Sequence, residues 1–348
     1  MTRVIAIEPR ETGTLVALVV DGQLEDLLID PPTTDDAPQM EEIHRVRVRR
    51  LIPKQGGAMV KLEGGLSGYL RDTSGLKEGA LVIAQVSGIA EPGKAVPMTS
   101  RRLHRGKYAI LTPHAPGVNI ARSLKDPAER SRLTAIGAER IGEEGAGLIL
   151  RTAAAGEERD RILADIDDLL AMEAVIAEAV ATGGPPGKLA EAPAAEVTAW
   201  REWGEPDEVI REEGLFDRMG LWDAIDAIRR PRADLREGAW MSVEPTAALI
   251  AVDINTGPDM AGNAAAKANL SACADLPRQL RLRGLGGQIT VDFAPMRKVD
   301  RKAVETALKR AFAADPIQTT LAGWTPLGCF ELTRKRERRP LTEVLPDA

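Results

Sequence analysis

Aromatic rings are scarce in this chain: 5 Trp, 2 Tyr and 4 Phe in 348 residues. Any surface that grips a ligand by stacking must therefore rest on very few rings. Cysteine is scarcer. Cys273 and Cys329 lie far apart in sequence and form no CxxC pair and no disulfide framework, which suits a reducing cytoplasm. The three histidines, His44, His104 and His114, have no metal-ligand spacing. No stretch approaches the roughly 18 uninterrupted apolar residues of a membrane span. The opening MTRVIAIEPRE has no apolar core for a signal peptide. The expectation is a cytoplasmic chain without a membrane span. What is present is an ordinary globular composition, 44% apolar and 28% charged, long enough for two or three domains.

The net charge of −6 hides a division. Residues 157–218 carry 17 acidic and 6 basic side chains, a net of −11, which leaves +5 for the remainder. The cations cluster: Arg45, Arg47, Arg49, Arg50 and Lys54; then Lys94, Arg101, Arg102, Arg105 and Lys107; then RKRERR at 334–339. Such stripes, rather than total charge, set the field a polyanion meets. Each cluster alone reads as solvated surface. Three in one chain make a polyanion partner an equal reading.

Residues 1–31 alternate as short strands with a hairpin turn at Asp21-Gly22. PPTTDDAP at 31–38 is a linker. From Ile43 to about Ser100, short β segments separated by glycine turns, with basic edges, fit a small barrel of the oligonucleotide-binding type. A helix follows Asp126, its N-cap, with Pro127 at the first position. GAGLILRTAAAG is a strand running into a glycine-bounded turn, and 157–182 a long helix. Residues 189–218 read as acidic, irregular and peripheral. The last third alternates: strand AALIAVDI, helix 263–284 containing Pro277 and stopped at Gly284, strand QITVDFAPM, helix 300–315. Strand–helix–strand with short joints is a βαβ unit, so its two strands should run parallel.

In such a pair both strands end at one edge of the sheet. Asp253 and Asp292 occupy the same relative place near those ends, and Asn255 faces the same side as Asp253. Strands about 4.8 Å apart would let the two carboxylates share one ligand. Two such carboxylates repel unless a cation lies between them, and hard oxygen donors suit Mg²⁺. That arrangement can hydrolyse a phosphodiester. The other reading is structural: Asp253 turns the chain and Asn255 makes an Asx turn.

AVDINTG, RQLRLRGLGGQITVDFAPM and GCFELTRKRER together resemble the catalytic core of the ribonuclease E/G family. LVALVVDGQLEDLLID looks like the family's opening strands, HRVRVRRLIPKQGGAMVKLEGGLSGYL like its RNA-binding barrel, and GLILRTAAAG like the segment that binds a 5′ phosphate. The resemblance implies an α+β, multidomain chain: a ribonuclease-H-like subdomain interrupted by an OB-fold barrel, a 5′-sensor segment and a DNase-I-like catalytic subdomain. The implied boundaries are 1–35 for the first part of the ribonuclease-H-like subdomain, 36–105 for the barrel and 106–156 for the sensor. Residues 157–240 would be a trimmed, acidic region and 241–348 the catalytic subdomain.

Residue by residue, Asp253 and Asp292 match the metal-binding aspartates and Asn255 the asparagine that supports them. Arg151 and Thr152 match the pair that receives a 5′ monophosphate, with Gly106, Ile110 and Arg122 at accompanying pocket positions. In the barrel, Tyr69 matches a base-stacking aromatic and Lys94 a lysine close to the RNA backbone. Met59 stands where the family has a second aromatic. Arg334 and Arg336 are expected to face RNA from one side of a strand, and one or two of Arg278, Arg281 and Arg283 to contact RNA or cap a helix. The family's CPxC zinc motif would follow LTEVLPDA, and Cys273 and Cys329 cannot replace it. A zinc link between protomers is therefore not expected, and any homodimer would form without it. The implied activity is Mg²⁺-dependent cleavage of single-stranded RNA, favouring 5′-monophosphorylated ends, in RNA processing or decay. The alternative is an RNA-binding protein of the same descent with weak or no nuclease activity.

Overall fold

In the computed structural model, residues 1–32, 36–71, 74–142, 145–258 and 262–345 are described. The chain divides into two compact units, Met1–Asp36 with Glu205–Ala348, and Ala37–Gly204.

The first unit holds two sheets. Strands Arg3–Arg10, Gly13–Val20 and Gln23–Ile29 form an antiparallel meander. Asp21 and Gly22 both adopt positive φ, 49° and 78°, as a two-residue hairpin turn requires. Glu208–Arg211 adds to the meander's edge, parallel to Arg3–Arg10. Helices Leu215–Arg218 and Leu221–Arg229 cover the sheet, burying Leu215, Phe216 and Ile225 completely. The expectation that 189–218 is peripheral fails here. Most of its charged side chains are acidic, but Leu215 and Phe216 are core residues of this sheet. Net charge reports the majority of a stretch and conceals the few apolar residues that fix its position.

The second sheet has six strands in the order Arg232–Asp234, Trp240–Pro245, Ile250–Asn255, Gly287–Asp292, Phe330–Arg334, Thr319–Trp324. Only Ile250–Asn255 and Gly287–Asp292 run parallel, joined by the crossover helix Ala264–Leu282. Alternation along these strands sends Val252, Ile254, Ile289 and Val291 into one core with that helix and with Arg301–Ala314. The opposite face carries the polar residues of the same strands.

One or two of Arg278, Arg281 and Arg283 are expected to contact RNA or cap the helix; Arg281 lies in the last turn and Arg283 at the C-cap, and both are buried, away from any RNA surface. Arg281 meets Glu25, Asp26 and Asp315, and Arg283 donates to the backbone carbonyls of Ile228 and Arg230. Arg278 is half-buried and donates to Asp275 and to the Leu24 carbonyl at 2.8 Å. Arg278 and Arg281 fasten the crossover helix to the first sheet and Arg283 fastens it to the end of helix Leu221–Arg229, since buried charge needs partners.

The second unit begins with a five-stranded barrel. Ile43–Ile52 pairs with Gly57–Lys61, which pairs with Ser67–Arg71. Ser67–Arg71 runs parallel to Val96–Thr99, and Leu81–Val86 closes the ring back onto Ile43–Ile52. That order, with one parallel pair, is OB-like. A smaller sheet follows, ordered Gly117–Ile120, Gly147–Leu150, Ala109–Thr112, His104–Arg105. Helices Pro127–Ala138 and Arg159–Thr182 pack on it through Leu133, Ile162 and Ile166. Asp126 caps the former, accepting from the Ala128 N–H at 3.1 Å. Among the described residues, no helix is long and apolar enough to cross a membrane.

Candidate functional site

Asp253 and Asp292 are paired residues of the parallel ladder. Both are exposed, on the sheet face away from the helices. Their Cα atoms are therefore about one strand spacing, ~4.8 Å, apart. Asn255 donates from Nδ2 to Asp253 Oδ2 at 2.7 Å, which fixes that carboxylate and leaves the amide carbonyl oxygen available. Across the neighbouring antiparallel strand, Ser242 is opposite Asp253 and Trp240 is opposite Asn255. Beyond Asp292, Glu331 lies opposite Thr290, and Cys329 lies close enough to feel both acids. Burial, then the charges of Asp292 and Glu331, push the Cys329 thiol up. The result is a shallow acidic platform of oxygen donors on an open sheet.

On the barrel, one row of paired residues runs Arg50, Met59, Tyr69, Pro97 across four strands. Arg50 is exposed and the other three are half-buried. The Tyr69 hydroxyl donates to the Gln55 carbonyl at 3.1 Å, and its ring lies over Gly57, where a Cβ would come 2.2 Å from the hydroxyl oxygen. Glycine at 57 is what lets the ring lie across the neighbouring strand. Lys94 sits in an exposed loop, paired with Glu91 at 2.8 Å.

A third group surrounds Arg151. Its guanidinium donates to the Gly106 carbonyl at 2.6 Å, the Arg201 carbonyl at 3.2 Å and the Glu202 carboxylate at 2.7 Å. The Asp165 carboxylate accepts from the backbone N–H groups of Lys107, Tyr108 and Ala109, each at 2.9 Å, and so fixes the loop after Gly106. A Cβ on Gly106 would strike that carboxylate at 2.4 Å. Ile110 pairs with Ile149 in the same small sheet. Thr152 and Ser123 share a hydroxyl–hydroxyl bond of 2.6 Å, and Arg122, next to Ser123, is exposed.

The C-terminal arginines do not form the expected face. Arg334 is 1% exposed, paired with Asp315 at 2.8 Å and bonded to Thr319 at 3.0 Å. It points into the core with Phe330 and Leu332, so its guanidinium cannot reach a surface ligand. Its strand ends at Arg334, so strand alternation does not carry on to Arg336. Arg336 is half-buried against Gly287, whose φ of +109° and missing Cβ make room for it.

A family model described as "Ribonuclease E/G family" matches residues 104–208 and 204–337. The chain belongs to the ribonuclease E/G family. It is 30% identical to ribonuclease E of Nostoc sp. over 76% of this chain and 44% of that relative. It is 25% identical to ribonuclease G of Salmonella typhimurium over 99% of this chain and 82% of the relative. For ribonuclease E of Synechocystis sp. the figures are 28%, 96% and 57%. The chain thus spans about half the length of these two ribonuclease E relatives.

Of the residues expected from the sequence, the structure gathers Asp253, Asn255 and Asp292 at one point, Met59 and Tyr69 at a second, and Arg151 with Gly106 at a third. Glu202, Ser123 and Trp240 were not anticipated. Glu202 is one acid in an acidic stretch, and nothing local marks it. Trp240 was findable: it alternates with buried Met241 and Val243, which puts it on the face shared with Asn255.

Proposed function

We propose that the chain is a Mg²⁺-dependent endoribonuclease acting on single-stranded RNA. The observation that carries this is the register of Asp253 with Asp292 on an open sheet face in a member of this family. The donor set fits the ion. Two carboxylates with an amide oxygen beside them are hard ligands. Mg²⁺ bound by two carboxylates usually keeps several waters and takes substrate phosphate oxygens. Asp253 and Asp292 would hold the ion, which supplies charge neutralisation at the phosphodiester and acidity to water.

The chain's own part is orientation. Asn255 holds the Asp253 carboxylate in one pose, and Val252, Ile254 and Val291 lock the strands beneath. In the reaction a water oxygen joins the phosphorus and the bond to the 3′ oxygen breaks. The 3′ oxygen takes up a proton, and the products are a 5′ phosphate and a 3′ hydroxyl.

The barrel would grip RNA through Tyr69, Met59 and Lys94. A 5′ monophosphate would be read at Arg151 and Thr152, with Gly106, Ile110 and Arg122 forming the surround. A guanidinium and a hydroxyl are suitable donors for phosphate. The four-stranded sheet with its parallel edge strand is consistent with a shortened ribonuclease-H-like subdomain, and the six-stranded sheet with a DNase-I-like one. A second reading, RNA binding with weak cleavage, draws on Met59, which leaves one ring on this row of the barrel. The test is incubation with 5′-monophosphorylated single-stranded RNA, with and without Mg²⁺. Internal cleavage that needs the ion and leaves 5′-phosphate ends supports the nuclease. Binding without cleavage at any Mg²⁺ concentration supports the second reading.

A further inference from the structure

Most of the 11 aromatic rings belong to cores. Phe216 packs with Trp222, Trp324 with Phe293 and Phe330, and Phe312, Tyr108 and Trp203 are buried. Trp240 is different. It is half-buried, it is not part of the hydrophobic cluster beneath its own strand, and it lies on the polar face of the six-stranded sheet. Its cross-strand partner is Asn255, the residue whose amide holds Asp253. From the Trp240 strand to the Asp292 strand is two strand spacings, roughly 10 Å. The Arg232 guanidinium carbon sits 4.9 Å from the indole centroid, and Arg232 also pairs with Asp234 at 2.8 Å. Both members of that ion pair are more than half exposed.

A guanidinium also lies over Trp222 and Trp324, so what sets this indole apart is its place: the core beneath its strand is made by Met241 and Val243 on the other side, and the ring is outside that cluster. It is well suited to a nucleobase. Bases stack on aromatic rings and on guanidinium planes alike, and a cation beside the stack favours the adjoining phosphate. We propose that Trp240, with Arg232, is a base-stacking platform that positions the nucleotide flanking the phosphodiester held at Asp253 and Asp292. The inference rests on the nuclease reading for its substrate and on the sheet geometry for its place. Stacking is tolerant of base identity, so the platform fixes the strand's register over the acids and imposes little sequence preference.

The test combines protein and RNA changes. Binding and cleavage of a single-stranded RNA with one defined cut site are measured for the wild type, Trp240→Ala, Trp240→Phe and Trp240→Leu. The same RNA is then used with one abasic nucleotide walked across the positions flanking the cut. Trp240→Ala should raise Kd and KM about 5- to 150-fold, with Trp240→Phe retaining most of the affinity. At one abasic position the Ala variant should lose nothing further, because the stacking partner is already gone. Trp240→Leu keeps apolar bulk without a ring, so it reports the stacking should the Ala variant fail to fold. Penalties that add equally at every abasic position, or Leu and Phe variants that bind alike, overturn the platform. If RNA binding depends on the ring at one nucleotide but no chain cleaves, the platform stands and the nuclease reading falls. If the wild type cleaves and all three variants match it in KM, the platform alone falls.

Discussion

The carboxylate of Glu202 holds the guanidinium of Arg151 at 2.7 Å, while two backbone carbonyls take other donors of the same group. An incoming 5′ phosphate would have to compete with an anion already in place. The pair is about one-fifth exposed on each side, where such contacts are worth about 1 kcal/mol or less. Glu202→Gln should therefore raise the ratio of kcat/KM for 5′-phosphate over 5′-hydroxyl RNA by up to about fivefold. Arg151→Ala should bring that ratio to unity. An unchanged ratio in both variants removes 5′-end reading from Arg151.

On the barrel, Met59 faces Tyr69 directly across paired strands. A second ring there would give bases another stacking surface, worth about 1–3 kcal/mol. Met59→Phe is expected to tighten single-stranded RNA binding, measured as Kd at fixed salt, and to leave the salt slope unchanged because no phosphate contact is added. No tightening would mean that RNA does not cross this row.

The Asp315 side chain is fully buried between Arg281 and Arg334. Its removal leaves two buried guanidiniums short of their counter-ion. Asp315→Asn should lower unfolding free energy by about 3–5 kcal/mol, read by denaturant titration. A folded Arg334→Met variant should keep its affinity for RNA; a specific loss of affinity would restore Arg334 to the RNA surface.

Burial acts to raise the Glu173 carboxyl, but hydrogen bonds from His104 and Arg102 outweigh it and hold the group below its ordinary value of 4.5. A carboxylate depressed in the folded state contributes stability above its unfolded pKa and loses it as pH falls through the folded value. Thermal midpoints should therefore decline progressively below about pH 5, and Glu173→Gln should be less stable at neutral pH with a shallower acid decline. Parallel pH curves for the two chains would contradict this coupling.

The strand–helix–strand order and the placing of Asp253 and Asp292 were legible because hydrophobic alternation and a crossover fix register locally. The Asp21-Gly22 turn and the Asp126 cap were legible for the same reason: each is decided within a few residues. Arg281, Arg283 and Arg334 misled because a cationic side chain carries no mark of whether its counter-ion lies far away in sequence, as Glu25 and Asp26 do for Arg281. Leu215 and Phe216 were lost in an acidic average. The Arg151–Glu202 contact joins residues 51 apart, and only the folded chain brings them together.

Cleavage should depend on both paired acids, Asp253 and Asp292, holding the ion between them. Asp292→Asn keeps the size of the side chain and its place on the strand while removing one of the two charges. Single-turnover cleavage of a 5′-monophosphorylated single-stranded RNA in Mg²⁺, with binding measured in parallel, tests it most directly. RNA binding should stay close to wild type and the cleavage rate should fall by at least about 100-fold. A correctly folded Asp292→Asn chain that cuts the RNA at the wild-type rate would contradict it.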